Sequence, residues 1–439
     1  GVATAVKVLG CYRGGRVLAE EMRSARASRS ADRGRSRRGR SNRRSAEPGR
    51  LDRWRDAHGR LLPEVWPVCP PSFSLAPGAS VFGVGSCFAR SIEDYLHLLG
   101  FETPMLSFEA DPAENDGRNE WILNKYTPPM IYQELAWAAG VAARGGVVGE
   151  SEIEAHRFEV SAGRVQDLQL NSKPVGERRF VERRRDVYRI FSKAFESDCV
   201  LITLGHMEAW YDRATDLFVG GSIPLLKEAH RSGRFAFVEL TLEQCRAYLE
   251  RTVALLRSLN PRCGILVTTS PVPLSHTFTG RDVILANEYS KSLLRVVAER
   301  VARATPRTDY FPSFESVRMT RSPYVLRKDL RHVQGGFVGK IARRVVDNYT
   351  TGLSSRDERL LAAKLALRCG GEPRATVRAP LREVGSLSTY NDSQLCFLIR
   401  ICEHLGERRE GIRIARELER RSPKHRGRRE LLEELGQLG

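Results

Sequence analysis

The sequence lacks long apolar runs and paired cysteine motifs. No stretch of its 439 residues approaches the ~20 apolar residues that a membrane-spanning helix needs, and the N-terminus has no proper secretory signal. The nine cysteines include no Cys-x-x-Cys pair and form no cluster with histidine, which argues against a disulfide framework and a zinc site. We therefore expect buried free thiols, no metal or organic cofactor, no membrane span and a cytoplasmic location.

Positive charge is abundant but unevenly distributed. The formal net charge is +18, of which residues 1–50 contribute +10 through thirteen Arg and one Lys against four acidic residues. Residues 355–439 contribute +5, which leaves only +3 for residues 51–354. Because Tyr12 is the only aromatic residue among the N-terminal arginines, we expect residues 1–50 to be disordered and do not expect specific nucleic-acid recognition.

Strand patterns alternate with long helical patterns through the middle of the chain. Strands are predicted at residues 80–84, 199–204, 264–269 and 308–311, with helices at 88–99, 127–143, 177–196, 241–259 and 282–304. This alternation predicts a parallel sheet covered on both faces, a three-layer α/β/α flavodoxin-like domain over residues 51–352. Helical patterns without strands predict a small helical region at 353–439, and Thr127 and Thr241 are expected to cap their helices.

The segment Gly85-Ser86-Cys87-Phe88-Ala89 falls between the first predicted strand and its helix. A serine at such a junction can hold its hydroxyl beside the free amides of the helix N-terminus, a position suited to an acyl-ester nucleophile. Cys87 is intrinsically the better nucleophile and is the alternative, although we expect it to be a small buried helix residue. A tight turn without chemistry would give the same pattern.

Asp329 and His332 lie three residues apart near the end of the predicted α/β domain. A carboxylate at this spacing can fix the imidazole tautomer, and the imidazole can take a proton from a hydroxyl group. We therefore predict Ser86 as nucleophile, His332 as general base and Asp329 as its orienting partner.

The order of these motifs resembles the SGNH/GDSL hydrolase superfamily, and the Gly-Ser-Cys-Phe-Ala string resembles the GSCFA family. Further similar segments lie at 124–128, 203–210, 270–274 and 286–291, so the resemblance runs from about residue 60 to 350. It implies an SGNH hydrolase-like fold and a serine-dependent ester hydrolase or acyltransferase. By analogy we expect O-acyl groups of a glycan, or a small-molecule ester, as substrate.

The same resemblance implies an oxyanion hole built from the Ser86 amide, the Gly205 amide and an asparagine. Met207 stands where that asparagine is expected, so Asn124 is the candidate replacement, with a cap or turn role as its alternative. We expect His206, Glu208, Trp210 and His276 to line the substrate cleft. The helical row Asn287, Lys291 and Arg295 is expected to be a solvated face, with contact to an anionic substrate group as the alternative.

A second function class remains open from the sequence. The missing asparagine favours a catalytically inactive binding module that uses the basic tail and the helical region to recruit partners. The intact Ser86 and Asp329-x-x-His332 favour the enzyme.

Overall fold

Strands and helices alternate as the sequence predicts, within the residues that the computed structural model describes: 54–115, 121–220, 227–321, 325–369, 374–382 and 384–422. The prediction of disorder at residues 1–50 lies outside them. The strands are β1 (Val81–Gly85), β2 (Arg157–Ser161), β3 (Arg164–Asp167), β4 (Cys199–Leu204), β5 (Glu208–Asp212), β6 (Leu217–Val219), β7 (Phe235–Glu239), β8 (Gly264–Thr269) and β9 (Thr308–Tyr310).

The helices are α1 (His58–Leu61), α2 (Cys87–Leu98), α3 (Pro128–Ala143), α4 (Glu150–Ile153), α5 (Glu177–Phe191), α6 (Lys227–Ser232), α7 (Leu242–Leu259), α8 (Val283–Ala304), α9 (Ser313–Met319), α10 (Gly335–Tyr349), α11 (Ser355–Cys369), α12 (Arg374–Arg382), α13 (Asp392–Leu405) and α14 (Arg408–Arg421). Helices α1, α4, α6, α9 and α12 and strands β2, β3, β5, β6 and β7 are absent from the sequence prediction.

A four-stranded parallel sheet forms the centre, in the order β1-β4-β8-β9. Successive residues of a strand face opposite sides, so Phe82 and Val84 pack into one core and Val81 into another. The first core also contains residues of α3, α5, α7 and α8, and the second contains residues of α2, α9 and α10. The predicted three-layer α/β/α fold with a parallel sheet is confirmed.

The two predicted helix caps have different outcomes. The Thr241 side chain accepts from the Gln244 amide, and the Gln244 side chain accepts from the Thr241 amide, a complete capping box at the start of α7. Thr127 occupies the N-cap position of α3 but its side chain makes no capping hydrogen bond, so that prediction is wrong. Prolines fill the first two positions of α3, where the amides they lack would have no helical partner.

The loop before α3 connects the ends of two central strands. The Lys125 amide donates to the Gly85 carbonyl at 2.7 Å, and the Tyr126 carbonyl accepts from the Gly205 amide at 2.9 Å. The Lys125 ammonium is fully buried and pairs with Glu134 of α3 at 2.6 Å. Arg184 of α5 also contacts Glu134, at 2.7 Å. This ionic network fixes the loop against the carboxyl ends of β1 and β4.

The C-terminal helices pack directly on α2. Helices α13 and α14 lie within the helical region predicted at 353–439. Gln394 donates to the Leu98 carbonyl at 2.9 Å, and Lys364 pairs with Asp94 at 2.8 Å. Because Leu98 belongs to the core of this helical region, the region supports the helix whose N-terminus carries Ser86. Among the helices of the described ranges, none is both long and apolar enough to cross a membrane.

Candidate active site

A cleft of about 570 Å³ lies beyond the carboxyl ends of β1, β4 and β8. Parallel α/β sheets bind ligands at this edge, because the loops that follow the strands surround a common space. The cleft is lined by residues from early and late in the sequence of the α/β domain: Ser86, Cys87, Asn115, Trp121, Tyr126, Asn171, Ser172, Lys173, Gly205, His206, Glu208, Trp210, Phe237, Ser270, Val272, Pro273, Leu274, Ser275, His276, Phe278, Lys291, Arg331 and His332.

The junction between β1 and α2 depends on Gly85. Its φ is +128°, a conformation that side-chain-bearing residues rarely adopt, and a Cβ there would overlap the Thr203 carbonyl. Ser86 follows as the N-cap of α2, where its hydroxyl accepts from the Phe88 amide at 3.3 Å. The same hydroxyl lies 3.1 Å from the Thr203 hydroxyl, and Ser86 is only 3% exposed.

Cys87 is the first residue of α2, and its half-buried side chain lines the cleft. Burial raises the pKa of its thiol, whereas the positive charges of Lys291 and Arg331 act in the opposite direction. The thiol therefore lies near two cationic groups of the cleft, while burial, which has the larger effect on its pKa, keeps it protonated.

Asp329 and His332 form a hydrogen-bonded pair. The His332 Nδ1 donates to one Asp329 carboxylate oxygen at 2.6 Å, and the other oxygen accepts from the amides of Arg331 and His332 at 3.0 Å each. The hydrogen bond from the His332 side chain is the largest cause that lowers the Asp329 pKa well below its usual range. Leu330 between them has a φ of +55°, which closes the turn. His332 lines the cleft that also contains Ser86 and Cys87.

Each group expected to form the oxyanion hole already has a protein partner. The Ser86 amide donates to Thr203, at 3.1 Å to its carbonyl and 2.8 Å to its hydroxyl, and the Gly205 amide donates to the Tyr126 carbonyl. The Asn124 side chain donates to the Tyr126 hydroxyl at 3.2 Å, so it positions a residue of the cleft wall.

Met207 contributes nothing polar to the cleft. Its side chain is buried in the core, and its amide donates to the Ser290 hydroxyl at 3.0 Å. The position of the expected asparagine is thus part of the packing between β4 and α8.

The four expected lining residues, His206, Glu208, Trp210 and His276, all border the cleft. The His206 ring stacks on Tyr126 with centroids 5.5 Å apart, and burial lowers the pKa of His206 to about 4, so its imidazole is neutral at pH 7. The Glu208 carboxylate accepts from the Phe278 amide at 3.0 Å, which holds Phe278 5.2 Å from the Trp210 ring. This wall of the cleft is therefore aromatic and anchored by one carboxylate.

Two cations that the sequence does not assign to the site form another part of the wall. Lys291 is 2% exposed, and its ammonium donates to the Gly205 carbonyl at 2.6 Å. Burial lowers the pKa of Lys291 to about 7. The expected solvated face is wrong here, because α8 packs this side against the sheet edge. Arg331 donates to the Pro273 carbonyl at 3.3 Å, and its place between Asp329 and His332 is the sequence signal for it.

Three buried polar side chains of the cleft have atoms without a hydrogen-bond partner among the described residues: Asn115, Ser172 and Ser270. Buried polar atoms are normally paired, so these three mark a place where ligand or solvent completes the bonding. No set of three or more His, Cys, Asp or Glu side chains within the described ranges is arranged to hold a metal ion.

Comparison with protein families gives one match. The model of the GSCFA family matches residues 80–344, which contain β1, the Asp329–His332 pair and most of α10. A search of curated proteins found no significant match. Because the match covers more than half of the chain, this protein belongs to the GSCFA family.

Proposed function

We propose that the α/β domain is an SGNH-type hydrolase or acyltransferase that forms a covalent acyl-enzyme from an ester. The observation that carries this proposal is the Asp329–His332 hydrogen bond at the edge of the cleft that contains the β1–α2 junction. A base oriented by a carboxylate and a nucleophile at a helix N-terminus are the two parts that acyl transfer needs.

His332 is the general base in this mechanism. Because its Nδ1 donates to Asp329, Nε2 is the ring nitrogen left to take the proton of the nucleophile. The imidazolium that forms is stabilised by the Asp329 carboxylate, and it then returns the proton to the leaving alcohol. Water, or an acceptor hydroxyl in the transferase version, releases the acyl group by the reverse sequence.

Side chains replace backbone amides in stabilising the tetrahedral intermediate. The Tyr126 hydroxyl accepts from Asn124, so its own proton remains free to donate to the developing oxyanion. Lys291, Arg331 and the positive end of α2 add favourable charge near the same junction. These groups supply the donors and positive charge that an oxyanion hole needs, although Met207 replaces the expected asparagine.

A polar, O-acylated ligand suits the cleft best, and we propose an O-acyl glycan as substrate. Trp210 and Phe278 offer aromatic faces of the kind on which sugar rings stack. The hydroxyls of Ser172 and Ser270 have no partner within the described part of the chain and can bond ring hydroxyls. The support for a glycan is this combination of aromatic wall and unpaired polar groups.

The test uses two matched histidine variants of the cleft. Release of p-nitrophenol from p-nitrophenyl acetate, and of acetate from acetylated oligosaccharides, would be measured for the wild type, His332→Gln and His276→Gln. We expect the His332 change to lower turnover by at least about 10³-fold, because the base is lost, and the His276 change to lower it less than tenfold. Equal effects of the two substitutions would contradict the role of His332.

The inactive binding module remains the second candidate, because the Ser86 and Gly205 amides are hydrogen-bonded internally. It predicts no turnover of either ester, together with saturable binding of an acetylated oligosaccharide measured by calorimetry. Turnover that depends on His332 would exclude it.

We also propose that the protein works in a reducing compartment, the cytoplasm. Seven cysteines of the described residues are free thiols, and burial raises the pKa of several of them, including Cys199 and Cys402. Cell fractionation with an antibody to the chain would test this location.

A further inference from the structure

We propose that the acyl group is carried by the sulfur of Cys87 and not by the oxygen of Ser86. This inference rests on the proposed acyl-transfer function and names its nucleophile. The two residues are adjacent, so the choice between them depends on where each side chain lies.

The Ser86 hydroxyl is occupied by structural bonds. It accepts from the Phe88 amide as the cap of α2 and lies 3.1 Å from the Thr203 hydroxyl beneath it. Attack on a carbonyl would break both interactions and uncap the helix, and the residue is only 3% exposed. Ser86 is therefore a positioning residue that fixes the turn between β1 and α2.

The Cys87 thiol lines the same cleft as His332. It lies in the first turn of a twelve-residue helix, half-buried in the cleft wall. Burial raises the pKa of the thiol, and the positive charges of Lys291 and Arg331 in the same cleft act in the opposite direction. Positive charge and a helix N-terminus both stabilise a thiolate and the oxyanion formed by its attack.

Buried polar side chains without a partner among the described residues support ligand binding in the same cleft. Ser270 follows β8, is 1% exposed, lines the cleft and has a hydroxyl with no partner among the described residues. The side-chain amide of Asn115 and the hydroxyl of Ser172 are buried in the same cleft wall and likewise have no hydrogen-bond partner among the described residues. A bound ester substrate would supply the missing hydrogen-bond partners.

Cys87 and His332, which both line the cleft, provide the nucleophile and the proton acceptor of the proposed reaction. Burial keeps the resting thiol protonated, so its proton passes to His332 Nε2 as the S–C bond forms. The tetrahedral intermediate then breaks the bond between the acyl carbon and the alcohol oxygen, and the imidazolium returns the proton to the alcohol. Water attacks the resulting thioester with His332 as base, which releases the carboxylic acid and restores the thiol.

The experiment traps the intermediate and identifies the acylated atom. Wild type, S86A, C87A and C87S are mixed with p-nitrophenyl acetate, quenched in acid and mapped by peptide mass spectrometry, with and without neutral hydroxylamine. Hydroxylamine cleaves a thioester readily and leaves an ordinary oxygen ester intact. Circular dichroism checks that each variant is folded.

We expect a hydroxylamine-sensitive acetyl group on Cys87 of the wild type and S86A. C87A should lose at least about 10³-fold in turnover, whereas S86A, which loses the cap and the contact with Thr203, should lose less than about tenfold. C87S should retain a hydroxylamine-resistant acetyl group at position 87. An acetyl group on Ser86, with turnover retained in C87A, would overturn the inference and leave the proposed function standing. Absence of both turnover and acylation in the folded wild type would overturn the function and, with it, the inference.

Discussion

Replacing Lys291 with methionine should make the stability of the protein less dependent on pH. The ammonium is 2% exposed, and burial lowers its pKa from 10.5 to about 7. Cys87 and Glu288 favour the charged form and Arg331 opposes it, and none of them outweighs burial. Lys291→Met keeps most of the side-chain volume and removes the titrating group.

The direction follows from the protons bound in each state. Below pH 7 the ammonium is charged in the folded and unfolded states, and its burial penalty, of order 5 kcal/mol over the whole pKa change, is fully present. Between pH 7 and 10.5 the unfolded chain still binds a proton that the folded protein releases, so wild-type stability rises with pH. The lost hydrogen bond to Gly205 offsets about 1–3 kcal/mol of the benefit of the substitution at all pH values.

Thermal midpoints of wild type and Lys291→Met would be compared at pH 6, 7, 8 and 9. We expect the variant to have its greatest advantage at pH 6 and to lose about 2 kcal/mol of it between pH 7 and 9, which corresponds to roughly 3 °C in the midpoint. Lys173→Met is the matched control, because Lys173 lines the same cleft with an exposed side chain. A difference between wild type and Lys291→Met that stays constant from pH 6 to 9 would refute the burial argument.

Three further substitutions test residues that orient His332, shape the β1–α2 turn and hold the loop before α3 in place. Asp329→Asn should lower ester turnover by about 10²–10⁴-fold, since the tautomer of His332 is no longer fixed, and an unchanged rate would remove Asp329 from the mechanism. Gly85→Ala should destabilise the fold by at least about 3 kcal/mol in thermal unfolding, because φ is positive there and the new Cβ would overlap the Thr203 carbonyl. Gly59→Ala is the control, since a Cβ there meets open space, and it should be neutral within about 1 kcal/mol. Equal effects of the two substitutions would contradict this reasoning. Arg184→Met should cost about 3–5 kcal/mol in the same assay, since buried Asp167 loses its ion pair with Arg184 and Glu134 keeps only Lys125. A stabilised variant would show that the ionic network is dispensable.

Local sequence determined the main elements of the α/β domain. Strands 199–204 and 264–269 occur at the predicted residues, because a continuous apolar run bounded by long helical patterns has one low-energy arrangement, a buried parallel strand. Asp329-x-x-His332 likewise forms its hydrogen bond within one turn, so its geometry depends on few distant contacts.

Strands β5, β6 and β7 are stabilised by pairing with one another, and the local sequence pattern does not identify these segments as strands. Trp210 pairs with Val219 in a short hairpin on one side and with Phe237, farther along the chain, on the other. The pairing becomes favourable only when the chain is folded, so periodicity alone gave no signal for this sheet.

The sequence by itself placed Ser86 and Cys87 at the end of a strand and the start of a helix, and placed an imidazole beside a carboxylate late in the domain. Both side chains line the cleft, and only the tertiary structure decided their burial and hydrogen-bond partners. The approach of Thr203 from the neighbouring strand binds the Ser86 hydroxyl, and the packing of α8 brings Lys291 to the cleft wall near the Cys87 thiol. Hydrogen-bond partners and burial come from segments more than one hundred residues away, and no local pattern encodes them.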